Sequence, residues 1–370
     1  MSAVFASLMC QIKKGDRVVL HWRKGNGIQS DTPKYMWKDK PINAGWVTTF
    51  NEYAVVSENR LTPIPVDFDP KIGALMGCAV TTGLGVINNN AKVKIGESVV
   101  VWGAGGVGLN MVQGAAMVSA YPIIAIDLFD HKLDLSLKLG ATHTINAKKS
   151  DPEKEILKIV GNNGADVVID NTGNVEVIRS VYKVTNSIGR TILVGVPPIG
   201  EETTLYTLPL HFKKILTGSH GGEAKPDVDI PRYIRLLESG KMSLEGLITH
   251  KFTLEKINDA LDVFVSGVAG RIIISLKNFN KIKELNVEKN YICVESGIKI
   301  SEIIEIIFQK NMSLYAVPGG EHVTIGGAIG GNVFGKDSRN SNTSFGDSII
   351  SLKIISYDGE IREINKNDKD

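Results

Sequence analysis

A doubly wound α/β fold on a parallel sheet is predicted for the centre of this 370-residue chain. Three observations predict it. From about Gly96 to Ser275, short strand-like runs alternate with helix-length periodic segments, the pattern of parallel βαβ units. A glycine-rich turn follows the first of these strands and opens a helical segment. Composition is that of a globular protein, with 43% apolar and 22% charged residues, so enough core is available to support a sheet covered on both faces.

Taken in order, residues 1–90 hold short β-like runs, Arg17–Leu20 and Glu52–Val56, bounded by Gly, Pro and Asn clusters. A Pro-rich connection, LTPIPVDFDP, leads into the apolar segment Ile72–Val86. The strands of the α/β region read SVVVWG, PIIAID, THTIN, DVVIDN and RTILVGV, and IIIS closes the series. Helical periodicity covers Leu109–Val118, His131–Leu139 and Glu153–Val160. Lys277–Lys289 is Lys/Asn-rich and reads as a linker or a solvated face. Beyond it come YICVESG, a helical pattern Ser301–Lys310, a Gly/Asn/Ser-rich loop Gly319–Gly346 and a strand pair turning on Asp358-Gly359.

Charge and cysteine usage narrow the function. Lys plus Arg number 42 against 40 acidic residues, a net charge of +2. That field does not favour a polyanion, so nucleic acid is not an expected partner. Three scattered cysteines, Cys10, Cys78 and Cys293, do not make a disulfide framework and fit a cytoplasmic protein. Ser98–Ile126 lacks formal charge, but five glycines, Asn110 and Gln113 interrupt it, which argues against a membrane span. The N-terminus has no basic stretch before its short apolar run, so no signal peptide is expected.

The strongest motif is Gly103-Ala104-Gly105-Gly106-Val107-Gly108, a G-x-G-x-x-G between a strand and a helix. The next strand ends in Asp127, nineteen residues after Gly108. This is the context of dinucleotide binding: the glycines allow a tight turn, and the helix N-terminus receives the pyrophosphate. Asp127 would bond the adenosine ribose and repel a 2′-phosphate, favouring NAD over NADP. Such a unit is a Rossmann domain.

With these residues in view, the stretch from about Gly15 to Ser275 resembles the zinc-type alcohol dehydrogenases of the medium-chain dehydrogenase/reductase superfamily. The likeness is carried by GDRVVLHW, TTFNEYAVVSENRLTPIP, MGCAVTTGLGV, VWGAGGVGLN, AIDLFDHKLDLSLKLGATHTIN, ILVGVPP, LTGSHGG and GVAGRIII, in family order. The resemblance implies that Asp127 and Lys132 contact the adenosine ribose and that Val107 lies in the phosphate turn. It implies that Thr82 meets the nicotinamide side, that Val194, Gly195 and Val196 receive the carboxamide, and that Arg271 contacts the cofactor phosphates. Trp22 falls where an aromatic residue lines the alcohol pocket.

Departures from the family pattern matter equally. Its catalytic zinc acts as a Lewis acid on the alcohol oxygen, and such a site needs three protein ligands and an open position. Cys78 matches the third ligand. The first two belong to a segment that would precede Gly15, and the cysteine-rich structural zinc lobe is replaced by RKGNGIQSDTPKYMWKDK. Zinc is therefore expected to bind poorly. Of the seven histidines, His21 is the one that the resemblance places near the pocket. Cys78 reads equally as a small buried apolar residue.

Residues from about Lys277 to Ile364 resemble part of a vanillyl-alcohol-oxidase-type flavin domain, nearest the sugar-lipid oxidases that include decaprenylphosphoryl-ribose oxidase. VESGIKISEI, PGGEHVTIGGAIGGNVFGK and SFGDSIISLKIISYDGEI carry this likeness. It implies FAD contacts at Thr324, Gly326, Gly327 and Asn332. A glycine-rich loop without a ligand is the other reading of that segment. The join at Ile274–Lys277 looks like two partial modules fused in one frame.

The expected organisation is a partial β-rich, GroES-like catalytic domain over 1–87, completed by 246–275. A Rossmann NAD-binding domain follows over 88–245, then a small α+β FAD-binding-type fragment over 278–370. The expected function is an NAD-dependent alcohol or polyol dehydrogenase, impaired by its missing zinc ligands. A non-catalytic NAD-binding protein and an FAD-dependent oxidoreductase acting on a sugar lipid are the alternatives. The substrate would be a small alcohol or sugar, and the family suggests a homodimer.

Overall fold

The computed structural model describes residues 12–13, 15–37, 40–43, 45–50, 54–275, 281–314, 323–325, 328, 345, 349–355 and 361–365. Strands β1 (Val18–Leu20), β2 (Lys34–Trp37), β3 (Lys40–Asn43) and β4 (Leu61–Pro63) precede a long helix, α1 (Pro70–Ala91). The α/β region then runs β5 (Val99–Trp102), α2 (Gly106–Met117), β6 (Ile123–Asp127), α3 (Asp130–Lys138), β7 (His143–Asn146) and α4 (Pro152–Val160). It continues through β8 (Ala165–Asp170), α5 (Val175–Val184), β9 (Thr185–Leu193), β10 (Ile215–Gly218) and α6 (Pro226–Glu238). β11 (Ile248–Thr253), α7 (Ile257–Val265) and β12 (Arg271–Ser275) follow. The last segment holds β13 (Ile282–Asn286), β14 (Tyr291–Val294), α8 (Ile300–Phe308), β15 (Ser351–Ile355) and β16 (Ile361–Asn365).

Two compact units result. The first comprises Met1–Asp31, Val56–Lys251 and Asn258–Ile273, and the second Thr32–Val55, Phe252–Ile257 and Ile274–Asp370. The first unit is organised by a six-stranded sheet of order β10-β9-β8-β5-β6-β7, parallel throughout. Its first strand, β5, lies in the middle. The chain winds outward to β7 on one side and to β10 on the other, so the winding reverses between β5 and β8. That is where the carboxyl ends of open α/β sheets bind ligands.

Burial explains why these runs become central strands. Val99, Val100 and Val101 are completely buried, as expected where helices cover both faces. Successive side chains point to opposite faces. Val99 and Val101 join α1 and α2 through Met76, Leu84, Leu109 and Met111. Val100 and Trp102 pack towards Ile156 of α4 and Val181 of α5. Side chains on the helices close the local accounts: Asp151 caps α4 and Asn174 caps α5, each accepting two backbone N–H groups.

α1 is long and apolar enough to cross a membrane, but most of its apolar window is buried within the fold, and it is a core helix. Its α-helical turns Pro70–Leu75 and Thr81–Gly85 alternate with π-helical turns Met76–Val80 and Val86–Ala91. The Thr81 hydroxyl donates to the Met76 and Cys78 carbonyls at 3.0 and 3.2 Å, which satisfies groups displaced from the regular ladder. π-turns of this kind often mark functional sites, and the first one carries Cys78.

Several elements differ from expectation. IIIS does not close the parallel sheet: β12 pairs with β11, and the sixth parallel strand is β10, a short edge strand. Residues 54–56 of the run Glu52–Val56 form no strand, and 51–53 lie outside the described residues. The start of the Pro-rich connection is β4, antiparallel to β1. Within Lys277–Lys289, β13 forms and pairs with β14. In the second unit β15 and β16 pair antiparallel as the hairpin pattern predicts, while the Asp358-Gly359 turn lies outside the described residues.

Lys214 is a buried cation of the first unit, 7% exposed at the entry to β10. Its ammonium donates to the Tyr182 and Thr185 carbonyls at 2.5 and 2.7 Å and lies 4.2 Å from the Tyr182 ring centroid. It thereby serves carbonyls left over where α5 ends. Burial lowers its pKa from 10.5 to about 8. Over that window the unfolded chain binds more protons than the native one, so this group's contribution to stability rises with pH from about 8 to 10.5 and is lost as pH falls. Lys214→Met is expected to flatten the rise in unfolding free energy measured by urea titration across that range. An unchanged slope would contradict the assignment.

Candidate functional site

The glycine turn sits at the carboxyl end of β5, beside the point where the sheet winding reverses. Gly103 adopts φ +102°, a conformation that favours glycine. A Cβ on Gly108 would collide with the Gly103 carbonyl, so α2 starts hard against the strand end. A Cβ on Gly105 would meet nothing within 4 Å, leaving open space before the first turn of α2. A side chain on Gly106 would run into Arg271. The Arg271 Nε is buried without a hydrogen-bond partner, and burial lowers the pKa of its guanidinium, while the Cys78 thiol acts in the opposite direction. A glycine turn at a helix start, open space and an arginine with unused donor capacity fit a pyrophosphate.

At the neighbouring strand end, Asp127 accepts from Ala104 N at 2.8 Å and from Leu128 N and Phe129 N at 2.7 and 3.2 Å. Its carboxylate is thus tied to the glycine turn. Lys132 is buried, donates to the Gly267 carbonyl and lies 5.1 Å from the Phe129 ring centroid. A cavity of about 310 Å³ adjoins it, lined by Leu109, His131, Leu135, Thr249 and Gly270 among others.

The opposite end of the site gathers Cys78, Thr82, Trp22 and the loop after β10. Thr82 is buried, and the Val107 carbonyl of the glycine motif lies against its neighbour Gly83. Trp22 packs edge-on to His220, ring centroids 4.9 Å apart. Arg23 Nη1 donates to His220 Nδ1 and O at 2.5 and 2.6 Å. Val194 and Gly195 are half-buried and Val196 is exposed, where the chain leaves β9. His220, Arg23 and the Asp170-Asn171-Thr172 turn after β8 escaped sequence reasoning; an acidic residue closing a strand before Asn-Thr-Gly was the available signal.

A zinc ion is poorly served here. Cys78 is exposed, not a buried apolar residue, although Met76, Ala79 and Val80 of the same π-turn are buried. His21 is buried and both ring nitrogens are engaged, Nδ1 with the Arg23 carbonyl at 2.6 Å and Nε2 with the Thr62 hydroxyl at 2.9 Å. Burial lowers its pKa, with the bond to Arg23 opposing. Among the described residues no group of three His, Cys, Asp or Glu side chains could hold a metal. The donors among the described residues therefore do not make the three-ligand set of the family's catalytic zinc.

In the second unit, Thr324 forms an antiparallel bridge with Lys299, and Ile325 N donates to the Ile298 carbonyl at 2.9 Å. Residues 323–325 thus run beside the entry to α8, and Ile325 joins an apolar cluster of Ile298, Ile300, Ile303, Ile307 and Phe345. Gly326, Gly327 and Asn332 lie outside the described residues.

The first unit has the doubly wound fold of Rossmann-type oxidoreductases. Residues 106–239 match the zinc-binding dehydrogenase model, and residues 262–365 match an FAD binding domain. S-(hydroxymethyl)glutathione dehydrogenase of Escherichia coli is 34% identical over 261 residues, 70% of this chain and 71% of that enzyme. Benzyl alcohol dehydrogenase from Acinetobacter calcoaceticus superposes with a TM-score of 0.61 at 27% identity, covering 72% of this chain and 79% of that one. An alcohol dehydrogenase zinc-binding domain protein from Burkholderia ambifaria gives 0.56 at 30% identity, with 60% of each chain covered. The chain belongs to the zinc-binding alcohol dehydrogenases of the medium-chain dehydrogenase/reductase family, oxidoreductases that use NAD and zinc.

Removal of the Asp127 carboxylate tests the adenosine end. Asp127→Ala is expected to lower the preference for NADH over NADPH by about tenfold, the size of one charge-assisted hydrogen bond. Fluorescence titrations with both nucleotides measure it, and an unaltered ratio would remove Asp127 from that role.

Proposed function

We propose that the first unit binds NAD across the carboxyl ends of β5 and β8, as part of an oxidoreductase that moves hydride between a small alcohol and NAD. The observation that carries this reading is the Gly103–Gly108 turn, with open space before Gly105 and the unpartnered Arg271 Nε beside Gly106. Gly103, Gly105, Gly106, Val107 and Gly108 would hold the pyrophosphate with Arg271. Asp127 and Lys132 would hold the adenosine ribose. Thr82 and the strand end Val194-Gly195-Val196 would hold the nicotinamide, with Trp22 lining the alcohol pocket. When bound, NAD supplies the hydride acceptor. The chain's own residues orient it and shield one face from water.

The metal-dependent part of the reaction is proposed to be impaired, because Cys78 finds no second and third donor among the described residues. That observation also favours the alternative in which the chain binds NAD without turnover. The match of residues 262–365 favours a further activity, an FAD-dependent oxidation of a sugar lipid in which Thr324, Gly326, Gly327 and Asn332 contact the flavin. A cytoplasmic location and a homodimer complete the proposal by analogy with the family.

Two measurements separate these readings. Gly105→Asp places a carboxylate where the pyrophosphate would lie and is expected to abolish NADH binding; retained affinity would contradict the cofactor assignment. Zinc per chain by elemental emission, with NADH absorbance followed over a series of alcohols, tests the chemistry. Well under one zinc per chain and negligible turnover are expected, whereas about one zinc per chain with turnover lost in Cys78→Ser would overturn the impairment. Protein that purifies yellow would support the flavin reading.

A further inference from the structure

A second turn borders the glycine motif at the place where the sheet winding reverses. β8 ends in Asp170, whose carboxylate is completely buried. It accepts from Thr172 N at 2.9 Å, from the Thr172 hydroxyl at 2.6 Å and from Gly173 N at 3.1 Å. The backbone of the same residue reaches the other way: its carbonyl accepts from Val194 N and Gly195 N at 2.8 and 3.1 Å. Gly173 and Gly195 meet so closely that a Cβ on Gly195 would collide with Gly173 N. Gly173 itself has φ +71°, which the carboxylate's bond to its N–H helps to fix.

The next residue faces the opposite neighbour. Asn171 N donates to the Trp102 carbonyl at 2.8 Å, and Asn171 Nδ2 donates to the Gly103 carbonyl at 3.0 Å. Two adjacent side chains therefore brace two different turns at the carboxyl end of the sheet. Asn171 braces the phosphate turn, and the Asp170 carboxylate braces the Thr172-Gly173 turn, which abuts Gly195 of the strand end Val194–Val196. A buried carboxylate costs stability unless its bonds are retained; here all of them go to one turn.

We propose that Asp170 is a positioning residue for the nicotinamide end of the cofactor, acting through Thr172 and Gly173 on Val194–Val196, and that Asn171 positions the pyrophosphate end through Gly103. This rests on the reading that the glycine turn and Val194–Val196 hold NAD. The two residues should then separate in a way that a merely structural role would not produce.

The experiment compares NADH with ADP-ribose, which lacks the nicotinamide, on the full chain. Asp170→Asn keeps one acceptor oxygen and sets an amide NH2 against either the Thr172 donors on Oδ1 or the Gly173 N–H on Oδ2. It is expected to weaken NADH about tenfold, to return the emission of bound NADH towards that of free nucleotide, and to leave ADP-ribose affinity unchanged. Thr172→Val keeps the volume and removes one of the three bonds to the carboxylate, together with the hydroxyl's bond from Asn174 N, so it is expected to act in the same direction but less strongly; it serves if Asp170→Asn does not fold by circular dichroism. Asn171→Ala should weaken both ligands alike. Equal effects of the Asp170 or Thr172 variant on both ligands, or no effect on either, would overturn the inference while wild-type binding leaves the NAD reading standing. Wild-type protein that binds neither ligand would overturn both.

Discussion

The close approach of Gly108 to the Gly103 carbonyl is the contact on which the rest of the first unit depends. It lets α2 begin directly at the end of β5, with no side chain between helix and strand. Because β5 is the central strand and wholly buried, the helix start is held over the sheet by core packing instead of by surface contacts. Side chains from both neighbours then fasten the same turn: Asp127 at the end of β6 bonds Ala104 N, and Asn171 after β8 bonds the Gly103 carbonyl. The turn is pinned from three parallel strands at the place where their winding diverges.

Such an arrangement separates scaffold from chemistry. The parallel sheet, its two covering helix layers and the glycine turn form a self-consistent unit whose local and long-range preferences agree. The alcohol end is different. The Cys78 side chain is exposed, His21 is occupied by Arg23 and Thr62, and Trp22 stands against His220. Nothing in the sheet compels these groups to converge on a metal. A cofactor site can therefore be well formed where a metal site is not, which is why fold and family membership do not by themselves decide turnover.

Much of the sheet was legible in the sequence because its strands are near-continuous apolar runs bounded by Gly or Asp. β5, β6, β7 and β8 fall within a residue of their expected positions. The edge was harder to read. β10 is four residues long and half exposed, so it lacks the run length that marked the others, whereas IIIS has that composition yet pairs with β11. The π-turns of α1 left no signal beyond an apolar segment. The Asp170 turn was hidden for another reason: its bonds join residues two and three apart to a strand end more than twenty residues away, and periodicity does not report such contacts.

Calorimetric titration of NADH into the purified full chain tests the central claim most directly, since it counts sites without requiring a metal, a substrate or turnover. One saturable NADH site per chain, competed by ADP-ribose, is the predicted result. Absence of a saturable binding heat at millimolar nucleotide, together with no change in tryptophan fluorescence from Trp102 beside the glycine turn, would contradict the account.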